Sequence, residues 1–404
     1  MRKIAVFTGN RAEYGLQFPL LKAIDKHPEL EYQLIVSGAH LDNHFGNTLD
    51  EIKRDGFHIS AEVKIEFNTD SSSSTAQAVG SGVLAMVDAL SRLKPDILVV
   101  YADRFEGFAA VIASSQMNIP TAHIEGGDLT EGGALDDSVR HAMSKLSHLH
   151  FTTNQQATNR LLAMGEEPWR VHTVGLPAID VISDGNFEKV EIVAQRLGLD
   201  LSRPIVLFTQ HSVTTEFEDA HAQVLPSLKA LKNLAQDGVQ VIITYPNNDA
   251  GGKAIIEAIT SLNKEALSGI QVHRSLGRFL YHGVLGLAKD PAINIACVGN
   301  SSSGIKESPI FGCPTINIGS RQSGRLRGDN VIDVNYDETE IVTSIKRCFD
   351  DDNFRVKCRQ TTNPYYIGRA GEVIADTLSK VELGKKILRK GMALMGESRD
   401  GWYR

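Results

Sequence analysis

At 404 residues the chain is longer than one simple core needs, which favours two domains. Its 42% hydrophobic and 23% charged residues are the mixture of an ordinary globular protein, and a formal charge of −7 offers no basic footprint for nucleic acid. An anionic ligand is still compatible with that charge, because a few local Arg and Lys residues hold a phosphate.

The chain opens on "KIAVFTG" (3–9), a strand-like run too short for a signal peptide, followed by a helical stretch through "FPLLKAIDKH". "EYQLIVSG" (31–38) reads as a second strand, and the Ser run at 71–74 as a mobile loop. The helical "GSGVLAMVDALSRL" leads into the strands "DILVVYAD" (96–103), "IPTAHIEGG" (119–127) and "HLHFTTN" (148–154). After a hinge at roughly 173–204 the pattern restarts, with strands at 204–211, 239–247, 293–300, 313–320 and 330–334. Continuous apolar strands alternating with helices predict parallel sheets covered on both faces, hence an α/β chain of two doubly wound domains facing a cleft. The tail from "LGKKILRK" onward is basic and helix-like, then polar.

Four cysteines, Cys297, Cys313, Cys348 and Cys358, form no CxxC and no zinc-finger spacing, and Cys297 and Cys313 lie in apolar runs that predict buried thiols. No stretch has the length of a membrane span. These features point to a reduced, cytoplasmic, soluble protein.

Polar residues gather where the strands end. The first strand runs into "GNRAEYG" with Arg11, the third into "YADRFEG" with Asp103 and Arg104, and the fourth into "HIEGGD" with His123, Glu125 and Asp128. In the second half one strand ends at His211, another at "PNNDAGGK" and another at "GNSSSGIKE". In doubly wound sheets such ends share the ligand crevice. Ser301, Ser302 and Ser303 at a helix start suit a phosphate, and Glu307, further into that helix, suits the two hydroxyls of a ribose. The first turn lacks the GxGxxG of a dinucleotide site, and no GxxxxGK[ST] loop occurs, so classical NAD binding and P-loop chemistry are unexpected. Between residues 125 and 137 stand five carboxylates, Glu125, Asp128, Glu131, Asp136 and Asp137, followed by Arg140 and His141. Crowding of like charges predicts that at least one of these carboxyls is raised above its ordinary range.

Taken together, "GNRAEYG", "ADRFE", "HIEGGDLTEGGALDDSVRHAMSKLSHLHF", "PNNDAGGK", "GNSSSGIKE" and "GSRQSGRLRGDNVIDV" resemble the UDP-N-acetylglucosamine 2-epimerases, in particular the hydrolysing branch, from residue 3 to about 380. The GTRPE and HVEAGLRT motifs of the non-hydrolysing branch do not occur. The resemblance implies a GT-B fold: an N-terminal Rossmann-like domain over 1–175, a C-terminal UDP-binding one over 176–363, and residues 364–404 as a helix returning to the first domain, plus a tail. It implies that Ser301 and Ser302 hold the diphosphate with Arg11, that Glu307 takes the ribose, and that Arg321, Asn247 and Lys253 contribute further binding positions. His211 would assist the leaving group, and Asp103 and Glu125 would be the catalytic carboxylates, with Asp136 in support and Arg104 beside them. Two departures stand out: Ala102 occupies the place of the Gly in the usual GDR, and "HSVTTE" after His211 lacks the usual Pro.

The implied reaction is elimination of UDP to a 2-acetamidoglucal, then hydration to N-acetylmannosamine, with no cofactor and no metal. Which carboxylate is base and which acid stays open at this point. Sialic acid biosynthesis for a surface polysaccharide is the expected setting, and a homodimer or homotetramer the expected assembly. The alternatives are the same reaction on UDP-2,4-diacetamido-2,4,6-trideoxyglucose in legionaminic acid biosynthesis, a GT-B glycosyltransferase, and a nucleotide-sugar sensor without turnover.

Overall fold

The computed structural model describes residues 1–41, 48–65, 73–129, 135–247, 250–265 and 267–393. They form two compact units, one drawn from residues 1–129, 135–180 and 365–393, the other from 181–364.

The first unit is built on seven strands: β1 (Arg2–Thr8), β2 (Leu30–Ser37), β3 (Ile59–Val63), β4 (Ile97–Tyr101), β5 (Thr121–Ile124), β6 (Leu149–Thr152) and β7 (Val171–Thr173). They pair in parallel in the order β3-β2-β1-β4-β5-β6-β7. The second unit repeats the plan with β8 (Ile205–Thr209), β9 (Gln240–Thr244), β10 (Ile270–His273), β11 (Ile295–Gly299), β12 (Thr315–Ile318) and β13 (Val331–Val334), ordered β10-β9-β8-β11-β12-β13. In both sheets the order reverses beside the first strand, between β1 and β4 and between β8 and β11. Loops after neighbouring strands diverge there to opposite faces, which opens the space in which such sheets bind ligands.

The apolar runs explain these sheets. Along β8, Val206 and Phe208 enter one core with Leu231, Ile243, Ile316 and Ile345. Ile205 and Leu207 enter another with Ile242, Val284 and Phe311. A strand buried on both faces has no reason to alternate apolar with polar residues. Cys297 and Cys313 lie in the second of these cores and Cys348 and Cys358 in the first, all as buried free thiols. The strands absent from the sequence reading, β3, β7 and β10, are edge strands. Their residues are largely half-buried, and polar side chains interrupt any apolar run.

Two helices begin earlier than their apolar stretches do. The helix Arg11–Lys26 starts inside the GNRAEYG turn: Asn10 caps it by accepting from the Glu13 N–H at 3.0 Å. The helix Ser74–Leu93 takes Ser74 as its first residue, with Ser73 at its N-cap, so part of the Ser run is helical. Residues 71 and 72 lie outside the described set.

Residues 365–393 belong to the first unit. The helix Ala370–Lys380 lies against the helix Arg11–Lys26 so closely that a Cβ on Gly371 would stand 2.9 Å from the Pro19 carbonyl oxygen. Asp180 caps the later helix, accepting from the Ala370 and Gly371 N–H groups at 3.1 and 2.8 Å. Past the short helix Lys385–Leu388, Lys390 donates to the carbonyls of Ser144, Lys145 and Ser147, the C-terminal end of the helix Leu135–Leu146. The end of the tail, from 394, lies outside the described residues.

Candidate active site

In the first unit the site grows from the ends of β4 and β5. Ala102 and Glu125 follow these strands directly, and both have left-handed backbone, at φ 55° and 65°. Among the described residues only two other non-glycine positions share that conformation. The two turns are tied together, since the Ala102 N–H donates to the Ile124 carbonyl at 3.0 Å. Left-handed backbone costs a residue with a Cβ on the order of 1 kcal/mol or more, and surroundings that enforce it are characteristic of functional sites. Here it turns Asp103 away from β4 and lets Glu125 stand at the very end of β5.

Behind these turns lies His123, fully buried on β5. Its Nε2 donates to the Ala102 carbonyl at 2.7 Å, and its Nδ1 accepts from the Ser144 hydroxyl at 3.0 Å. Burial pushes this imidazole down to about 3, so it is neutral and holds one tautomer. Gly126 passes through the same seam. A Cβ there would meet Ser144 Oγ at 2.8 Å and His123 Nδ1 at 2.9 Å, so only glycine fits.

The carboxylates are not a bare cluster. Arg140, 2% exposed, forms ion pairs with Asp103 and with Asp137, the latter at 3.4 Å. Glu125 and Asp128 are buried as well, while Asp136 is exposed in the first turn of the Leu135–Leu146 helix. The buried Tyr101 hydroxyl is raised well above 10, first by burial and then by Glu125 and Asp128, against the opposing field of Arg140. Tyr101, Glu125, Asp128, Asp103, Asp137 and Arg140 thus form one charged locality. Arg140, given no role above, places a cation among these carboxylates. Glu131 lies outside the described residues. Arg104 is half-exposed, with its Nε 3.6 Å from Glu106.

Two further carboxyls at these strand ends escaped the sequence reading. Glu13, in the first turn of the Arg11–Lys26 helix, is buried with Glu106. Its Oε2 accepts from the Gly9 N–H at 2.7 Å, and its pKa is raised to about 8 by burial and then by Glu106. Glu106 is itself raised, again by burial. The Asn10–x–x–Glu13 spacing is a capping pattern and was the available signal. The Arg11 side chain is outside the described set.

In the second unit the equivalent switch point lies between β8 and β11 and is built differently. Gly299 ends β11 at φ 127°, where a Cβ would lie 1.9 Å from the Thr209 carbonyl oxygen. This close approach joins the two strand ends. Asn300 then clamps His211: its Oδ1 accepts from the His211 N–H at 2.6 Å and its Nδ2 donates to the His211 carbonyl at 2.9 Å. The Asn300 carbonyl in turn accepts from Arg321 Nη1 at 3.2 Å and from Gln322 Nε2 at 2.8 Å. His211 Nδ1 accepts from the Asn247 N–H at 3.0 Å, which leaves Nε2 as the donor. Burial, then the Arg321 charge, pushes His211 down to about 3. In the free protein it is therefore neutral, with Nε2 as its donor.

Ser301 is the N-cap of the short helix Ser302–Lys306. That helix stops at Glu307, and Pro309 opens the next one, Ser308–Phe311. Glu307 therefore stands at a break and not within a continuous helix, and it accepts from His282 Nε2 at 3.0 Å. Asn247 is exposed, as is Lys253 in the first turn of the helix Gly252–Lys264. Residues 248 and 249 of PNNDAGGK lie outside the described set. Among the described residues no group of three or more His, Cys, Asp or Glu is arranged to hold a metal ion. No described helix is long and apolar enough to cross a membrane.

Two doubly wound parallel-sheet units define a GT-B-like α/β protein. Comparison with known proteins narrows this class. The family profile described as UDP-N-acetylglucosamine 2-epimerase matches residues 22–379. A UDP-N,N'-diacetylbacillosamine 2-epimerase (hydrolyzing) of Legionella pneumophila is 33% identical over 390 residues, covering 96% of this chain and 99% of the relative. A UDP-N-acetylglucosamine 2-epimerase of Neisseria meningitidis serogroup B is 33% identical over 349 residues, 86% of this chain and 87% of the relative. Among solved structures, UDP-GlcNAc 2-epimerase from Neisseria meningitidis bound to UDP-GlcNAc shares the fold with a TM-score of 0.78 at 20% identity, over 94% of this chain and 100% of that one. The chain belongs to the UDP-N-acetylglucosamine 2-epimerase family, within its hydrolysing branch.

Proposed function

We propose that this chain converts UDP-N-acetylglucosamine and water to N-acetylmannosamine and UDP, as a step toward sialic acid. The observation that carries the reading is that Asp103, paired with the buried Arg140 guanidinium, and Glu125 stand on two left-handed strand-end turns tied by one hydrogen bond. The C2 proton of an N-acetylhexosamine is not acidic, since the ring has no neighbouring carbonyl. Elimination avoids that difficulty. A carboxylate takes the C2 proton, the C–H electron pair becomes the C1=C2 bond, and the C1–O pair leaves with UDP. Water then adds at C1 while a proton reaches C2 from the opposite face. Two carboxyls on separate turns suit these two transfers, each of which typically contributes on the order of 10²–10⁴-fold. The atoms balance without an oxidant or reductant.

In the second unit, the Ser301 hydroxyl, neutral His211 and Arg321 supply donors of the kind that a diphosphate accepts, and they stabilise the charge that grows on it as the C1–O bond breaks. A second reading, the same reaction on the 2,4-diacetamido-trideoxy sugar, is favoured by the Legionella relative, which is matched over more of this chain than the Neisseria one. Turnover in deuterated water followed by proton NMR tests both. Free N-acetylmannosamine bearing deuterium at C2 supports the first reading. Turnover of the diacetamido sugar alone selects the second, and a UDP-linked product or inertness toward both refutes hydrolytic epimerisation.

A further inference from the structure

Resting on the 2-epimerase reading, we propose that Arg140 is a positioning residue that keeps Asp103 anionic and aimed, making Asp103 the acceptor of the C2 proton. Arg140 lies in the middle of the Leu135–Leu146 helix, and its guanidinium stays charged in any protein setting. Buried at 2% exposure, it requires anionic partners, which Asp103 and Asp137 provide. Asp103 keeps a side chain 16% exposed, so it is the partner with a face left for a ligand, whereas Asp137 is 5% exposed.

The same helix holds the Asp103 turn at a second point. One turn beyond Arg140, Ser144 donates to His123, and His123 donates to the Ala102 carbonyl. Carboxylate and preceding carbonyl are thus gripped from one rigid element, just after the left-handed Ala102. The field around Asp103 is otherwise mostly negative. Glu125 and Asp128 act on the buried Tyr101 phenol against the opposing field of the same Arg140, and Asp137 shares that guanidinium with Asp103. His141 is on the same helix and is lowered, chiefly by burial, while Arg104 on the same turn points toward Glu106. Without Arg140, those carboxylates would favour a protonated Asp103. In the elimination, the proton arrives on Asp103 while the C–H pair forms the C1=C2 bond and UDP departs with the C1–O pair.

The test is the pH dependence of kcat, measured by release of the free sugar from UDP-N-acetylglucosamine and from its diacetamido analogue. Arg140→Met is expected to move the acid limb up by about one pH unit or more. At neutral pH its kcat should fall roughly 100-fold with KM little changed. Asp137→Asn, close to isosteric, removes a competing anion and is expected to move the limb down. A purely structural role shifts neither limb. Limbs that both coincide with the wild type, or that move in the opposite directions, overturn the inference. If Arg140→Met does not fold, the Asp137→Asn limb decides alone. A wild-type chain inert toward both sugars overturns the epimerase reading and this inference with it. An active wild type with unmoved limbs overturns this inference only.

Discussion

The switch points of the two sheets share a topology and differ in chemistry. At β1/β4 the strand ends carry Glu13, Asp103 and Glu106, with Glu125 and Arg140 alongside, so ionisable groups are packed close to one another. At β8/β11 the strand ends are His211, Asn300 and Ser301, held by amide hydrogen bonds, with Arg321 as the added charge. The first arrangement suits moving protons, because closely placed ionisable groups set one another's protonation. The second suits gripping an anion, because fixed neutral donors need no countercharge. One doubly wound plan therefore serves two tasks, and the side chains at the strand ends decide which.

The sharpest way to break this contrast is to neutralise the first site without changing its shape. Asp103→Asn and Glu125→Gln are each expected to lower kcat by ~10²–10⁴-fold. UDP affinity by calorimetry should stay nearly unchanged; a large loss of UDP binding would erase the division of labour.

A smaller effect concerns Glu13. Its folded pKa of about 8 lies above its ordinary 4.5, so the folded state holds a proton that the unfolded chain releases. Stability on this account is full below about pH 4.5 and is lost as pH rises through about 8. Glu13→Gln should flatten that slope and stabilise the protein at pH 8 by on the order of 2 kcal/mol in urea denaturation. An unchanged slope would refute the assignment.

In the second site, Asn300→Ala removes both clamps on His211 and should weaken UDP binding about tenfold, a cost near 1.4 kcal/mol. The smallest effect belongs to Ala102→Gly. Relief of the left-handed backbone should raise the urea midpoint by up to about 1 kcal/mol of stability. A lowered midpoint would mean that the flexibility glycine adds to the unfolded chain outweighs the strain.

Much of this was legible before folding. The apolar runs announced the buried strands and their parallel pairing, and the loaded residues after β4, β5, β8 and β11 announced where chemistry would gather. Edge strands such as Val171–Thr173 were not legible, because a half-exposed strand needs no apolar run. Arg140 was visible as a basic residue after an acidic stretch. Its spacing of three from Asp137 and four from Ser144, one face of a helix, was the signal left unused.

By itself the sequence determined the two α/β units, the positions of their strand ends and the family, because burial on both faces and short polar turns leave a periodic record. Only the tertiary structure decided that Arg140 reaches Asp103 across 37 positions, that Glu13 carries a raised carboxyl, and that His211 is neutral in the free protein. Charge state depends on distance and burial, and neither is written along the chain.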